Sequence, residues 1–235
     1  MKIGLASYTF INNDIPFNLS QMEKGMAAAQ DSVDLLCFGE TFLQGFDSLS
    51  WAYERDRDIA VDADSDVMGQ LCGMTRRYGV DLLFGYIEKE ADALYSSCAV
   101  IENGALAYNF RRISKGWKEY WHTDEHYREG TDTHGFFYRG QPVTIALCGD
   151  LWDEPERFRT DGLLLWPVYV NFSLDEWPAR ELEYAQQAAL VSRRTLMVNS
   201  ISETPKSYGG AFYFLDGKIE KKAAYDTDDI LIVEI

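Results

Sequence analysis

An α/β fold is predicted for this chain by three observations. Strand-like and helix-like stretches alternate along it. One strand candidate, residues 33–38, is apolar but for Asp34 near its start, as a strand covered on both faces is. A length of 235 residues with 46% hydrophobic content is enough to close a substantial core.

Each element follows from its local pattern. Residues 2–10 alternate and read as the opening strand. Residues 18–30 read as a helix, with Leu19, Met22, Met26 and Ala29 on one face. After the apolar strand, residues 65–78 form a helix with Val67, Leu71 and Met74 inward, and residues 80–88 a strand. Asn103-Gly104 turns a hairpin between residues 95–102 and 105–113, and Gly140 turns another between 136–139 and 142–148. Residues 163–172 read as a buried strand, 176–192 as a helix and 195–200 as a strand. Asp216-Gly217 joins strands at 210–215 and 218–224, and residues 230–235 form the last strand. No repeat, low-complexity tract or Pro/Gly linker divides the chain, so one domain over residues 1–235 is expected. The longest irregular stretch, residues 116–135, has the length of a functional loop.

Six Trp, 14 Tyr and 13 Phe argue against disorder. A net charge of −16 disfavours nucleic acid or an anionic membrane as partner. No basic end precedes a long apolar region, and no apolar run approaches the ~20 residues that span a bilayer. Cys37, Cys72, Cys98 and Cys148 are scattered and never form C-x-x-C, which suggests neither a disulfide framework nor a zinc ribbon. A cytoplasmic protein in a reducing compartment is expected.

Three segments carry candidate chemistry. In residues 142–156, Val143, Ile145 and Leu147 alternate as a core strand does, and Cys148 arrives where the pattern breaks into Gly149-Asp150. A strand-to-turn junction holds a side chain rigidly against a cavity, which suits a nucleophile; a buried free cysteine that merely packs is the alternative. Asp150 is expected to cap the following helix. Glu40 directly follows the apolar strand, a position that partly desolvates a carboxylate and suits a general base, or one that merely binds local backbone N–H groups. The stretch from Asn109 to Lys118 sets Arg111, Arg112, Lys115 and Lys118 at the end of another strand, where a cation turned inward would stabilise an oxyanion.

The order Glu, Lys/Arg, Cys at the ends of three strands resembles the nitrilase, or carbon–nitrogen hydrolase, superfamily. Asp34-Leu35-Leu36-Cys37-Phe38-Gly39-Glu40 resembles its glutamate block, with Gly39 in place of a proline, and Cys148-Gly149-Asp150 resembles its nucleophile block. Pro155-Glu156, residues 184–189, Met197-Val198-Asn199 and Gly209-Gly210-Ala211 resemble its later landmarks. The resemblance implies a four-layer α-β-β-α sandwich, a homodimer, and a metal-independent Glu-Lys-Cys triad that hydrolyses small amides, carbamoyl compounds or nitriles without a cofactor. It makes Glu40 the general base, Cys148 the nucleophile and the Gly149 N–H part of the oxyanion hole. Glu125 best matches a further family glutamate, with Asp124 as the register alternative. The aromatic-Arg-Lys motif reads Phe110-Arg111-Arg112 here, so Arg112 occupies the lysine slot literally. Lys115 is preferred as the catalytic cation because a lysine tip is compact and exchanges its proton, which a guanidinium does not. Arg112, Trp117 and Trp166 are then expected around the substrate.

Two rival readings follow from other features. With Arg112 in the lysine slot, the chain would be a catalytically silent binder of small amides or acyl compounds. His122-Thr123-Asp124-Glu125-His126 reads as H-x-x-E-H, with His134 behind it, the spacing of a zinc hydrolase if it lay on a helix.

Overall fold

The computed structural model describes residues 1–235 as two six-stranded sheets packed face to face. Strands β1 (Lys2–Ser7), β2 (Leu35–Cys37), β3 (Asp81–Glu90), β4 (Ala93–Glu102), β5 (Ala105–Arg111) and β12 (Asp229–Glu234) form the first, in the order β12-β1-β2-β3-β4-β5. Strands β6 (Phe136–Tyr138), β7 (Gln141–Ile145), β8 (Leu163–Val168), β9 (Arg194–Glu203), β10 (Lys206–Leu215) and β11 (Lys218–Lys222) form the second, in the order β11-β10-β9-β8-β7-β6. In each sheet three strands run parallel, β1–β2–β3 and β7–β8–β9, and the flanking strands are antiparallel.

Helices α1 (Ile15–Ala29) and α3 (Asp66–Tyr78) cover the outer face of the first sheet, and α5 (Trp177–Ala189) covers the second, which completes an α-β-β-α sandwich. The lack of alternation in β2 has its cause here. Leu35 and Cys37 point into the core between the sheets, while Leu36 and Phe38 point into the core under α1 and α3. Both faces are buried, so truncating either leucine to alanine costs about 2–5 kcal/mol. No helix is long and apolar enough to cross a membrane.

Several boundaries differ from the sequence reading for local reasons. Helix α1 begins at Ile15, three residues early, because the Asp14 carboxylate accepts the Phe17 N–H and Pro16 fits the first turn. Helix α2 (Tyr53–Ile59) carries no apolar stripe and gave no periodic signal. Strand β8 stops at Val168, and two residues on the Val170 N–H bonds the Asn199 side chain of β9 rather than a backbone carbonyl of that strand.

Candidate active site

Three strand ends converge between the sheets. The chain leaves β2 through Phe38 and Gly39, and the Glu40 N–H donates to the Val168 carbonyl at the end of β8 (3.3 Å). The Cys148 N–H donates to the preceding carbonyl, that of Pro167 (3.0 Å). One strand therefore fixes the backbones of both residues, although they belong to different sheets. Gly39 is needed for this approach: a Cβ there would collide with the Ser200 Oγ and lie 3.1 Å from the Val168 carbonyl oxygen. A Cβ on Gly85 would likewise come within 2.7 Å of the Glu40 Cα.

Cys148 adopts φ +40°, a left-handed conformation that costs a non-glycine residue about 1–3 kcal/mol and persists only where its surroundings enforce it. Those surroundings are visible. Asp150 is not the N-cap expected from sequence; Gly149 precedes the short helix α4 (Asp150–Asp153), and the Asp150 side chain reaches backward. Its Oδ2 accepts the Leu147 N–H (2.9 Å), and its Oδ1 accepts the N–H groups of Ile113 (3.1 Å) and Ser114 (2.8 Å). The cysteine turn is thus fastened to the segment that carries Arg112. Burial pushes the Asp150 carboxyl up to about 6, while Arg112 and the backbone donors pull it down. Trp166 is fully buried and donates its Nε1–H to the Cys148 carbonyl (3.0 Å), so it supports the turn from behind rather than facing substrate as expected.

The cation beside Glu40 is Arg112, not Lys115. Arg112 Nη1 lies 2.8 Å from Glu40 Oε1, and the two side chains are 4% and 1% exposed. Side-chain parity explains the placement. Phe110 points into the core between the sheets, Arg111 points the other way to Glu88 and Glu90, and Arg112 returns to the inner side while its N–H still bonds the Ser96 carbonyl. Lys115 falls beyond this alternation and is exposed, at the start of a single 3-10 turn (Lys115–Trp117). The remaining Arg112 donors are also placed: Nε bonds Ser114 Oγ (2.6 Å), and Nη2 packs against Gly149 so closely that a Cβ there would collide. Burial opposes the guanidinium charge, but Glu40 first and Asp150 after it outweigh this and hold the group firmly protonated.

The Cys148 thiol is held protonated. Burial pushes it up to about 12, the Glu40 charge adds to this, and Arg112 opposes it. The Sγ lies 3.7 Å from the Tyr169 carbonyl oxygen. Glu40 Oε2 is buried without a partner, and the Gly149 N–H is bonded to no backbone acceptor. Two cavities that share Phe46 and Asp47 border this cluster, one through Tyr169 and the other through Glu40. One, of about 450 Å³, runs along Tyr169, Val170, Phe172 and Pro205. The other, of about 140 Å³, is lined by Glu40, Trp51, Ile87, Ser96, Trp117 and Glu119.

The long loop differs from expectation in two respects. Glu125 and Glu119 are both exposed, but only Glu119, which sequence reasoning passed over, borders the smaller cavity. His122, Glu125 and His126 do not converge: His126 Nδ1 bonds Asp124 (2.9 Å) and its ring stacks on Tyr53, and no three metal-ligating side chains form a cluster. Trp117 is buried against the smaller cavity, in the region its sequence position suggested.

Comparisons with known proteins bear on this arrangement. Residues 4–150 match the family model described as Carbon-nitrogen hydrolase. The chain is 25% identical over 163 residues to a glutamine-dependent NAD(+) synthetase of Thermotoga maritima, covering 66% of this chain and 27% of the synthetase. It is 24% identical over 205 residues to an (R)-stereoselective amidase of a Pseudomonas species, covering 86% of this chain and 71% of the amidase. Its fold matches a CN-hydrolase superfamily protein of Xanthomonas campestris that has an arsenic adduct in its active site, at TM-score 0.78 and 16% identity over 99% of this chain and 89% of that one. It also matches an amidase of Nesterenkonia sp. AN1 bearing acrylamide on its active-site cysteine, at TM-score 0.79 and 16% identity over 100% and 93% of the two chains.

Proposed function

The chain belongs to the carbon–nitrogen hydrolase family, and from that premise we propose that it cleaves a small non-peptide amide or N-carbamoyl compound through a thioester on Cys148. The observation that carries this reading is the buried Glu40–Arg112 pair set against a cysteine held at φ +40°. Glu40 Oε2 takes the thiol proton as Sγ forms a bond to the carbonyl carbon, and the C=O electron pair moves onto oxygen. The Gly149 N–H and Arg112 Nη2 face that oxyanion. Collapse re-forms the carbonyl and breaks the C–N bond, and the proton on Glu40 passes to the departing nitrogen. Water, deprotonated by the same Glu40, then attacks the thioester and releases the acid with Cys148 as a thiol again. No step requires a metal or a cofactor. Arg112 takes the place in this scheme first given to Lys115, and Glu125 has no part in it. The assembly proposed by resemblance is a homodimer.

The test is intact-mass analysis during exposure to a panel of amides and N-carbamoyl amino acids. An acyl adduct that forms and decays on the native chain, and is absent from Cys148→Ala, supports the reading. Unaltered turnover by Cys148→Ala overturns it. The silent-binder alternative draws on the arginine in the lysine slot and the strongly protonated thiol. It predicts substrate binding with no adduct.

A further inference from the structure

We propose that the acyl group accepted by this site carries a cationic end, bound at the smaller cavity by Asp47, Glu119 and the faces of Trp51 and Trp117. The inference rests on hydrolysis at Cys148 and specifies the substrate class.

Charge is the first argument. Three carboxylates border a cavity of only about 140 Å³: Glu40, Asp47 and Glu119. Of the nearby cations only Lys115, exposed in the turn that carries Trp117, is outside an ion pair. Arg112 is paired with Glu40, Lys118 with Glu129, and Arg111 with Glu88 and Glu90. Asp47 and Glu119 stand at the rim outside any ion pair, two carboxylates against the single unpaired Lys115, so the mouth is net negative. An anionic acyl chain would meet repulsion there, a neutral chain would gain nothing, and an ammonium would be attracted.

The lining supplies the second argument. Trp51 and Trp117 both line the cavity, and indoles are the strongest aromatic partners for a cation. Two atoms of the lining residues are buried without partners, the Trp117 Nε1–H donor and the Glu40 Oε2 acceptor. Trp117 and Glu40 are 6% and 1% exposed, so water does not satisfy them freely. An orphan donor and an orphan acceptor in one cavity call for a ligand with both an acceptor and a donor, as an amide has. The rim carboxylates then select what lies at the other end of that ligand.

The experiment compares three amides of matched length: aminovaleramide (cationic), hexanamide (neutral) and glutaramate (anionic). The expected order of kcat/KM is cationic above neutral above anionic. About a tenfold preference for the first over the second is expected, the size that partly exposed ion pairs and a cation–π contact supply together. The preference should shrink as salt is raised. It should fall toward one in the double variant Asp47→Asn, Glu119→Gln, whose fold is checked by circular dichroism. Equal or better turnover of hexanamide, or a preference unmoved by the double variant, overturns the inference and leaves hydrolysis standing. If none of the three forms an adduct, tryptophan-fluorescence titration of Cys148→Ala decides. Tighter binding of aminovaleramide than of hexanamide upholds the cation site while hydrolysis of these amides fails, and equal binding overturns it.

Discussion

Replacing Glu40 with Gln removes one charge from a fully buried ion pair yet keeps a carbonyl acceptor for Arg112 Nη1, now 2.8 Å from Glu40 Oε1. Two consequences run in opposite directions. Turnover should fall by about 10²–10⁴-fold, the usual contribution of a positioned general base. The thiol should become easier to ionise. Burial is the largest reason that Cys148 sits near 12, and it persists in the variant; the Glu40 charge is the second reason and disappears, while Arg112 remains and pulls the thiol down.

The size of the effect follows from Coulomb's law. Unit charges ~4 Å apart interact by about 4 kcal/mol at an effective dielectric of 20. Allowing for a longer separation and for relaxation, loss of about 1.4–2.8 kcal/mol of repulsion lowers the thiol pKa by about one to two pH units. The thiolate fraction between pH 7 and 9 then rises about 10- to 100-fold. A less basic thiolate is also less nucleophilic, which returns roughly half of that gain on a logarithmic scale. Alkylation of Cys148 by iodoacetamide should therefore run about 3- to 10-fold faster in Glu40→Gln, read by intact mass and peptide mapping. In the native protein it should be slow, climbing about tenfold per pH unit without a plateau below pH 9, because a thiol near 12 is almost wholly protonated there. Labelling that is slower in Glu40→Gln, or unchanged, would refute the placement of this carboxylate against the thiol. Retained turnover would refute its role as base.

Arg112→Met strips Glu40 of its only cation; breaking a buried pair from one side costs about 3–5 kcal/mol, so melting should drop by roughly 6–20 °C in calorimetry, with turnover down at least ~10²-fold. Asp150→Ala leaves the N–H groups of Leu147, Ile113 and Ser114 without their acceptor. At about 1–3 kcal/mol for each donor left dry, and less where water enters the vacated space, a loss of about 2–5 kcal/mol is expected in urea unfolding.

The fold was legible wherever one face of an element is buried and the other is wet, and at β2, where continuous apolarity correctly signalled two covered faces. Helix α2 was illegible because its residues, Tyr53–Ile59, are mostly charged and bury chiefly Asp56, a polar anchor that no hydrophobic pattern reveals. At the site, Cys148 and Glu40 were legible from strand ends. Arg112 was legible too, had side-chain parity been counted onward from the core residue Phe110; a preference for lysine chemistry overrode that signal. Glu119 and Glu125 lie in a loop without period, where only three-dimensional closure decides which carboxylate reaches the cavity rim. The same applies to the Asp150 bonds to Ile113 and Ser114, across 37 and 36 residues of sequence.

An arginine in this position changes how charge would be handled in the proposed reaction. A guanidinium keeps its proton, so Glu40 is the only group of the pair that can carry one. Before attack the pair is Glu40 carboxylate and Arg112 cation beside a neutral thiol, consistent with the raised thiol and the firmly protonated arginine. In the proposed reaction, as Glu40 takes the thiol proton and Sγ adds to the carbonyl, the negative charge leaves the carboxylate and appears on the oxyanion. The total charge beside Arg112 is unchanged; only its location moves, from the Nη1 side facing Glu40 toward the Nη2 side facing Gly149. The flat guanidinium spans both positions, and its Nε bond to Ser114 stops it from turning to follow the charge. The cation is therefore fully desolvated and oriented before the oxyanion exists, which is the condition under which a fixed charge stabilises a transition state more than a ground state.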